Sequence, residues 1–442
     1  MAGSQLHGTT VVIGGAGLAG LAAARHLEAR GAAVIVAEPR DRVGGRVWTL
    51  RRGFSKRQHA EAGADLIEAE QSHVLRLASE LGLTTTRIIR KGFGFYGPDA
   101  GGIRRIDSTG RAFKHVADAL QPEIDDFNVS EHRWDSAVGR RLARMSAAGW
   151  LDRIGAPDHL RARVRGFRGF FLADPEELSL LPLVEQFAEW GTPGQDKTYR
   201  VTGGNDRLAT GMARRLRAKV LLGRAVRRVR QSASGVVVTV EHEGSRAELA
   251  ADYFVCAMPA STARHVRFEP GLPEAQHRAI AALNYGPATR LLLQFEKRFW
   301  GGIGRPSAYG TDLPTGAVWD GNEEQPGPAI LSFLAGGRAS RELQEILGRE
   351  GEAGVIERIK WMGRPNRLLA SQRITWDDDP WAGGGYAYFD PSFDPDWRPL
   401  LGRPAGRIVF AGEHTSTKWQ GYMNGALETG MRAAAEISAL AR

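Results

Sequence analysis

Residues 9 to 49 read TTVVIGGAGLAGLAAARHLEARGAAVIVAEPRDRVGGRVWT, and the architecture of the chain is set by this stretch. Thr9 to Ile13 is an apolar, β-branched run of the kind that forms a strand covered on both faces. Gly15-Ala16-Gly17-Leu18-Ala19-Gly20 comes next, and an Ala/Leu-rich helical pattern then runs to Gly31. A second strand, Ala33 to Ala37, delivers Glu38. In a strand–turn–helix–strand unit each glycine has its own task. Gly15 permits the tight turn, Gly17 lets a pyrophosphate approach the backbone, and Gly20 lets helix and strand pack closely. The helix N-terminus offers free N–H groups and the positive end of its dipole to phosphates. Glu38, about 20 residues past the motif, stands where an acid accepts the hydroxyls of an adenosine ribose. The unit by itself leaves NAD and FAD both open.

The residues just past Glu38 narrow the choice. Arg40-Asp41-Arg42-Val43-Gly44-Gly45-Arg46 is a second glycine pair set between arginines. Near the C-terminus stand Asp379-Pro380-Trp381-Ala382-Gly383-Gly384-Gly385-Tyr386 and Ile408-Val409-Phe410-Ala411-Gly412-Glu413-His414-Thr415, then Trp419-Gln420-Gly421-Tyr422-Met423. In these segments the chain resembles the flavin-containing amine oxidases. The resemblance implies an α/β fold with a discontinuous Rossmann-type FAD-binding domain and a mixed α+β substrate domain, as in hydroxybenzoate hydroxylase-like proteins. The expected FAD domain takes residues 1–83, 203–283 and 378–442; the substrate domain takes 84–202 and 284–377. Arg40, Gly44, Gly45 and Arg46 would lie along the pyrophosphate and beside the flavin ring. His59 to Ile67 would pass the flavin with Gly63, Ala64, Asp65 and Leu66. The backbone of Val226 would hold the adenine edge, and Gly412-Glu413 would reach the ribityl and phosphate region. Met258 and Trp381 complete the implied cofactor set. Met423 would open a helix whose N-terminus stabilises the negative charge of the reduced ring.

Tyr386 and Tyr422 fall where the family places two aromatic rings perpendicular to the flavin. Two π-faces orient an amine and would attract a bound cation. Either tyrosine alone reads as a core residue; the pair in position points to amine chemistry. Arg290 occupies the place of a lysine that holds a water beneath the flavin. Arginine keeps its charge, so it holds that water or pairs with a nearby acid. Glu61 falls where polyamine-oxidase-like relatives carry an acid near substrate. It is either a general base, its pKa raised by burial, or an acid bonding loop backbone. Covalent relatives have a cysteine just before the tyrosine; Gly385 here implies non-covalent, dissociable FAD. No arginine stands where amino-acid oxidases bind a carboxylate, Leu66 being nearest. The implied reaction removes a hydride from carbon next to nitrogen of a small amine or amide. It gives an imine, with O2 reduced to H2O2, and would suit a biosynthetic step that traps the imine. The alternatives are a flavin C–C dehydrogenase or desaturase, an L-amino-acid oxidase, and a flavoprotein whose fold serves protein binding.

The 442 residues suffice for two domains with cores of their own. Net charge is +9, carried by arginine, since only eight residues are lysine. The arginines are dispersed, and no zinc spacing, recognition helix or aromatic-basic repeat accompanies them, so a nucleic-acid partner is not expected. The single Cys256 excludes an internal disulfide and fits a reducing compartment; it reads as a small buried hydrophobe. No leader pattern and no uninterrupted apolar span occurs. The chain stops at Arg442, where membrane-anchored relatives carry a hydrophobic tail. A soluble, cytoplasmic protein is therefore expected, with oligomeric state left open, homodimer included. Between residues 85 and 200 the pattern is least legible. Lys91 to Arg104 reads as a hairpin. Phe113 to Leu183 reads as helical, with breaks at Pro122, Gly155, Pro157 and Pro175. His115, His132 and His159 are scattered and read as surface or capping residues. Gly301 to Pro328 reads as a loop, and Arg341 to Leu347 with Val355 to Met362 as a helical pair.

Overall fold

Thr10–Gly14 runs parallel to Ala33–Ala37 on one side and to Tyr253–Cys256 on the other. Lys219–Leu221 extends the sheet past Ala33–Ala37, and Ile408–Phe410 closes it past Tyr253–Cys256, all parallel. The computed structural model describes residues 6–108, 113–188, 197–301 and 305–442. Strands distant in sequence meet here because each is apolar and can be covered on both faces. On one face the helix Leu18–Ala29 lies against the long helix Met423–Leu440. The two approach closely because Gly430 has no side chain: a Cβ there would stand 2.3 Å from the Ala19 carbonyl oxygen. Against the other face packs an antiparallel meander, Ala225–Gln231, Val236–His242 and Ser245–Ala251. Val226, Val238 and Phe254 share one apolar core between them.

A second sheet of seven strands is built from the segments between those of the first. Its order is Leu368–Thr375, Ala288–Phe295, Ala329–Gly336, Ala317–Asp320, Ala308–Thr311, Phe93–Pro98 and Arg104–Asp107. The helix Arg338–Arg358 covers one face, with Leu343, Ile346 and Val355 set among Leu291, Leu293 and Phe333. A helical region from residue 114 to 188 contributes Lys114–Val129, Ala147–Arg153, Asp158–Arg165 and Leu180–Ala188. A separate three-stranded sheet has the order Ile67–Glu68, Thr198–Val201, Thr85–Ile88. No helix among the described residues is long and apolar enough to cross a membrane.

Two expectations from the sequence are corrected. Pro122 lies inside the helix Lys114–Val129 instead of breaking it. Val116, Leu120, Ile124 and Phe127 bury one stripe on both sides of the proline, and that burial outweighs the one backbone bond it lacks. The Gly301 to Pro328 stretch holds two strands, Ala308–Thr311 and Ala317–Asp320, each buried throughout; its residues 302–304 lie outside the described residues. Four-residue strands framed by glycine and proline give no periodicity to read. The helical pair after Arg338 is present: Arg338–Arg358 holds two helical runs that meet at Gly351, whose φ of 62° marks the joint. The hairpin forms from Phe93–Pro98 and Arg104–Asp107, as its alternating aromatics imply.

Candidate active site

The two sheets enclose one continuous cavity of about 1670 Å³. Its dinucleotide end is built on the first turn. Gly15 takes φ of 108°, where a side chain would strike the Ala257 carbonyl. Glu38, 2% exposed, accepts from the Ala16 N–H at 2.7 Å and the Arg40 N–H at 3.1 Å. Burial raises its pKa above the usual carboxylate range. Arg40 is held toward the cavity by Asp379 at 2.8 Å. Gly17 lines the wall, and a Cβ built on it would meet no atom of the described residues within 4 Å. That open space in front of a helix start is the room a pyrophosphate needs. Gly20 is different: a Cβ there would sit 1.9 Å from the Gly15 carbonyl oxygen. Gly20 and Ala16, expected on the cofactor, are therefore not on the cavity wall. Gly20 serves packing, and the Ala16 N–H is committed to Glu38. Leu18, Ala19, Gly44, Gly45, Val226, Met258 and Trp381 line the same end.

Further in, Arg46 donates to the Gly385 carbonyl at 2.8 Å and pairs with Glu413 at 3.1 Å. Glu413 also accepts from the Gly421 N–H at 2.8 Å, which ties the C-terminal motif to the second glycine pair. Gly412, Glu413 and Met423 are on the wall, and the helix Met423–Leu440 begins there with no side-chain cap. Its first N–H groups are thus free for a ligand. Opposite, Gly63, Ala64, Asp65 and Leu66 form a strip of wall. Gly63 admits no side chain, since a Cβ would lie 1.8 Å from the Arg46 carbonyl oxygen. A glycine cradle, a buried ribose acid and an open helix start fit a flavin dinucleotide running from Glu38 to Met423.

Behind that strip lies a buried ionic cluster. Asp65 accepts from Arg200 at 2.7 Å and from the Trp319 indole N–H at 2.7 Å. Arg290 donates to the Gly63 carbonyl at 2.7 Å and to Ser332 Oγ at 2.9 Å, and stacks over Trp319 at 4.6 Å. It stands 3.9 Å from Asp65 and is on the cavity wall. Glu61 is not on that wall. One carboxylate oxygen accepts from Thr49 Oγ1 at 2.8 Å and the other from the Asn205 N–H at 2.9 Å. Of the two readings open for Glu61, its contacts are those of the second: the side chain binds loop backbone and a hydroxyl instead of facing the cavity. Burial first, and then the charge of Asp65, push its pKa up to about 8.

Tyr386 and Tyr422 both line the cavity. The Tyr386 hydroxyl donates to the Phe170 carbonyl, and burial raises its pKa. The Tyr422 hydroxyl reaches Gln186 at 3.3 Å, and its ring meets Trp419 edge-on at 5.7 Å. A Cβ built on Gly421, next to Tyr422, would stand 3.5 Å from the Tyr386 ring. Beyond them the wall is aromatic: Phe93, Phe167, Phe170, Phe171, Phe187 and Trp134. Sequence reasoning missed all of these, since the region lacks any motif. It also missed Arg398 and Glu185 at the far end; His132, expected at the surface, is exposed and stands at the cavity rim.

Residues 18–438 match the family model described as flavin containing amine oxidoreductase. Among similar proteins, amine oxidase [flavin-containing] B of Bos taurus is 29% identical over 455 residues, covering 97% of this chain and 85% of that protein. Cyclohexylamine oxidase from Brevibacterium oxydans IH-35A superposes with a TM-score of 0.85 at 26% identity, over 98% of this chain and 99% of that one. Wild-type putrescine oxidase bound to putrescine gives 0.84 at 25% identity, over the same shares.

Proposed function

The chain belongs to the flavin-containing amine oxidoreductase family, and on that footing we propose that it oxidises the carbon–nitrogen bond of a small amine positioned between Tyr386 and Tyr422. When bound, FAD supplies the acceptor for a hydride equivalent, the substrate leaves as an imine or iminium, and O2 takes the electrons on to H2O2. What supports the assignment is one observation: both tyrosines stand on the cavity that also carries Gly17, Glu38, Arg46 and the start of the helix at Met423. Glu38 would accept the ribose hydroxyls, and the N–H groups near Met423 would face the flavin pyrimidine. Arg46 is fixed by Glu413 and the Gly385 carbonyl, so it presents its charge without moving.

The tyrosine rings would orient the amine and exclude water. Tyr386 is braced for this by its bond to the Phe170 carbonyl. Arg290 is held by Gly63 and Ser332 with its charge beside the strip that would underlie the ring. In that position it can hold a water by its remaining N–H, and its fixed cation disfavours a second positive charge close by. The division into an FAD domain of residues 1–83, 203–283 and 378–442 and a substrate domain of 84–202 and 284–377 belongs to this proposal. Strand membership of the five- and seven-stranded sheets supports it. The test is anaerobic mixing of the yellow holoprotein with a panel of primary and secondary amines. Bleaching of the flavin by at least one of them is expected. Silence across the panel would overturn the assignment.

A further inference from the structure

The far end of the cavity carries a charge that oxidation at the tyrosine pair does not use. Arg398, in the 3-10 segment Pro395–Gly402, lines the cavity and is 6% exposed. Its guanidinium stacks on Trp134 at 3.7 Å from the ring centre and lies 5.6 Å from that of Phe389. One terminal nitrogen donates to the Thr417 carbonyl. The other reaches Glu185 at a loose 3.5 Å, and Nε has no partner among the described residues. Glu185 shares that same oxygen with the Trp134 indole N–H at 3.1 Å, and its side chain is 29% exposed. A buried guanidinium with an orphan N–H and a wet, shared counter-ion is under-compensated. Arg200 is also buried and also has one nitrogen unpartnered among the described residues, but two carboxylates grip it, Asp65 at 2.7 Å and Glu324 at 2.9 Å. Burial pulls the Arg398 pKa down, yet an arginine stays charged at neutral pH.

The other charged groups at this end do not supply the missing partner. Asp135 and Asp396 line the cavity, but each is engaged by an arginine, Arg133 at 3.0 Å and Arg140 at 2.9 Å. Lys418 adds a second cation, lying over Trp419 at 5.6 Å. One helix links Arg398 to the tyrosine pair. Gln186 follows Glu185 on the helix Leu180–Ala188 and accepts from the Tyr422 hydroxyl. Leu178, Pro182, Phe187 and Phe389 make the walls beside that path apolar.

We propose that Arg398 is a carboxylate-binding subsite, and that the substrates are amines carrying a carboxylate separated from the oxidised carbon–nitrogen bond by an apolar spacer. A planar fork stacked on an indole is pre-organised for a carboxylate. The inference rests on the amine-oxidase assignment for its substrate but not for its ligand chemistry, and the test separates the two. Wild-type holoenzyme is mixed anaerobically with hexylamine and with ω-aminohexanoate, and with the octyl pair as a second length. The carboxylated member at one length or both is expected to show an apparent Kd lower by about tenfold or more. In Arg398→Met that ratio falls by about tenfold or more, while Arg398→Lys retains part of it. Hexanoate alone, titrated against the flavin absorbance of the wild type, should bind more tightly than hexanamide, which needs no variant to fold. If no amine bleaches the flavin but hexanoate binds and outcompetes hexanamide, the subsite stands and the amine-oxidase assignment falls. Equal Kd within both pairs, a preference that survives in Arg398→Met, or hexanoate binding no better than hexanamide overturns it.

Discussion

Among single residues, two glycines three positions apart do opposite things. Gly17 sits at φ of −71° with open space before it, so an alanine there meets only a ligand. Gly20 packs against the Gly15 carbonyl, so an alanine there meets the protein. Gly17→Ala should lower flavin content, read from visible absorbance against protein, while the thermal midpoint of the apoprotein stays put. Gly20→Ala should lower that apoprotein midpoint, at a cost of about 1–3 kcal/mol for overpacking. Glu61 makes a second case. Its folded pKa, up to about 8, is above the ordinary 4.5. A carboxyl that holds its proton more tightly when folded contributes stability at low pH and loses it as pH rises through that window. Glu61→Gln should therefore flatten the fall in thermal midpoint between about pH 5 and about pH 8, where each pH unit costs the wild type at most about 1.4 kcal/mol. Flavin reduction by an amine should keep its rate in this variant; a collapse would restore a catalytic role.

Among the elements, the joint in the helix Arg338–Arg358 is a single residue. Gly351 has φ of 62° and ψ of −161°, a region open in practice to glycine alone. No atom of the described residues lies within 4 Å of where its Cβ would be, so a substitution there costs strain without clash. Gly351→Ala should destabilise by about 1–3 kcal/mol, seen as a lower denaturant midpoint with unchanged slope. Equal stability would mean the joint is free to straighten. The helix Met423–Leu440 shows how an element can serve two ends at once. Its body packs on the helix Leu18–Ala29 through Gly430, while its uncapped start opens on the cavity.

Across the whole molecule, the cavity runs between the two main sheets, so a ligand filling it ties them together. A group that binds only the folded state stabilises by mass action, by about 2.7 kcal/mol when free ligand stands at roughly 100 times Kd. Adding FAD to apoprotein should raise the thermal midpoint in a concentration-dependent way. The same flavin should leave the chain on denaturation. Gly385 has no room for the thiol that a covalent link requires, a Cβ there lying 2.4 Å from Leu172 Cδ1 and 2.8 Å from Ala288 Cβ. Yellow colour that stays with the denatured chain would refute this.

How much could be read without coordinates depends on how local each signal is. The first turn, its three glycines, Glu38 and the strands on either side are fixed by backbone conformation and short-range pattern, so the strand–turn–helix–strand unit was legible in the sequence, though not that Ala16 and Gly20 stand off the cavity wall. The glycine pair at Gly44 and the run from Trp419 to Met423 made the family legible in the same way. The aromatic wall from Phe167 to Phe187 and the loosely paired Arg398 emerged from folding alone. Helices carry their apolar stripes whichever cavity they end up lining, and the pairing of a buried arginine depends on neighbours brought from hundreds of residues away. Glu61 shows the same limit: its motif position was legible, but strand pairing put Thr49, and the packing of a distant segment put Asn205, and not a substrate, against its carboxylate.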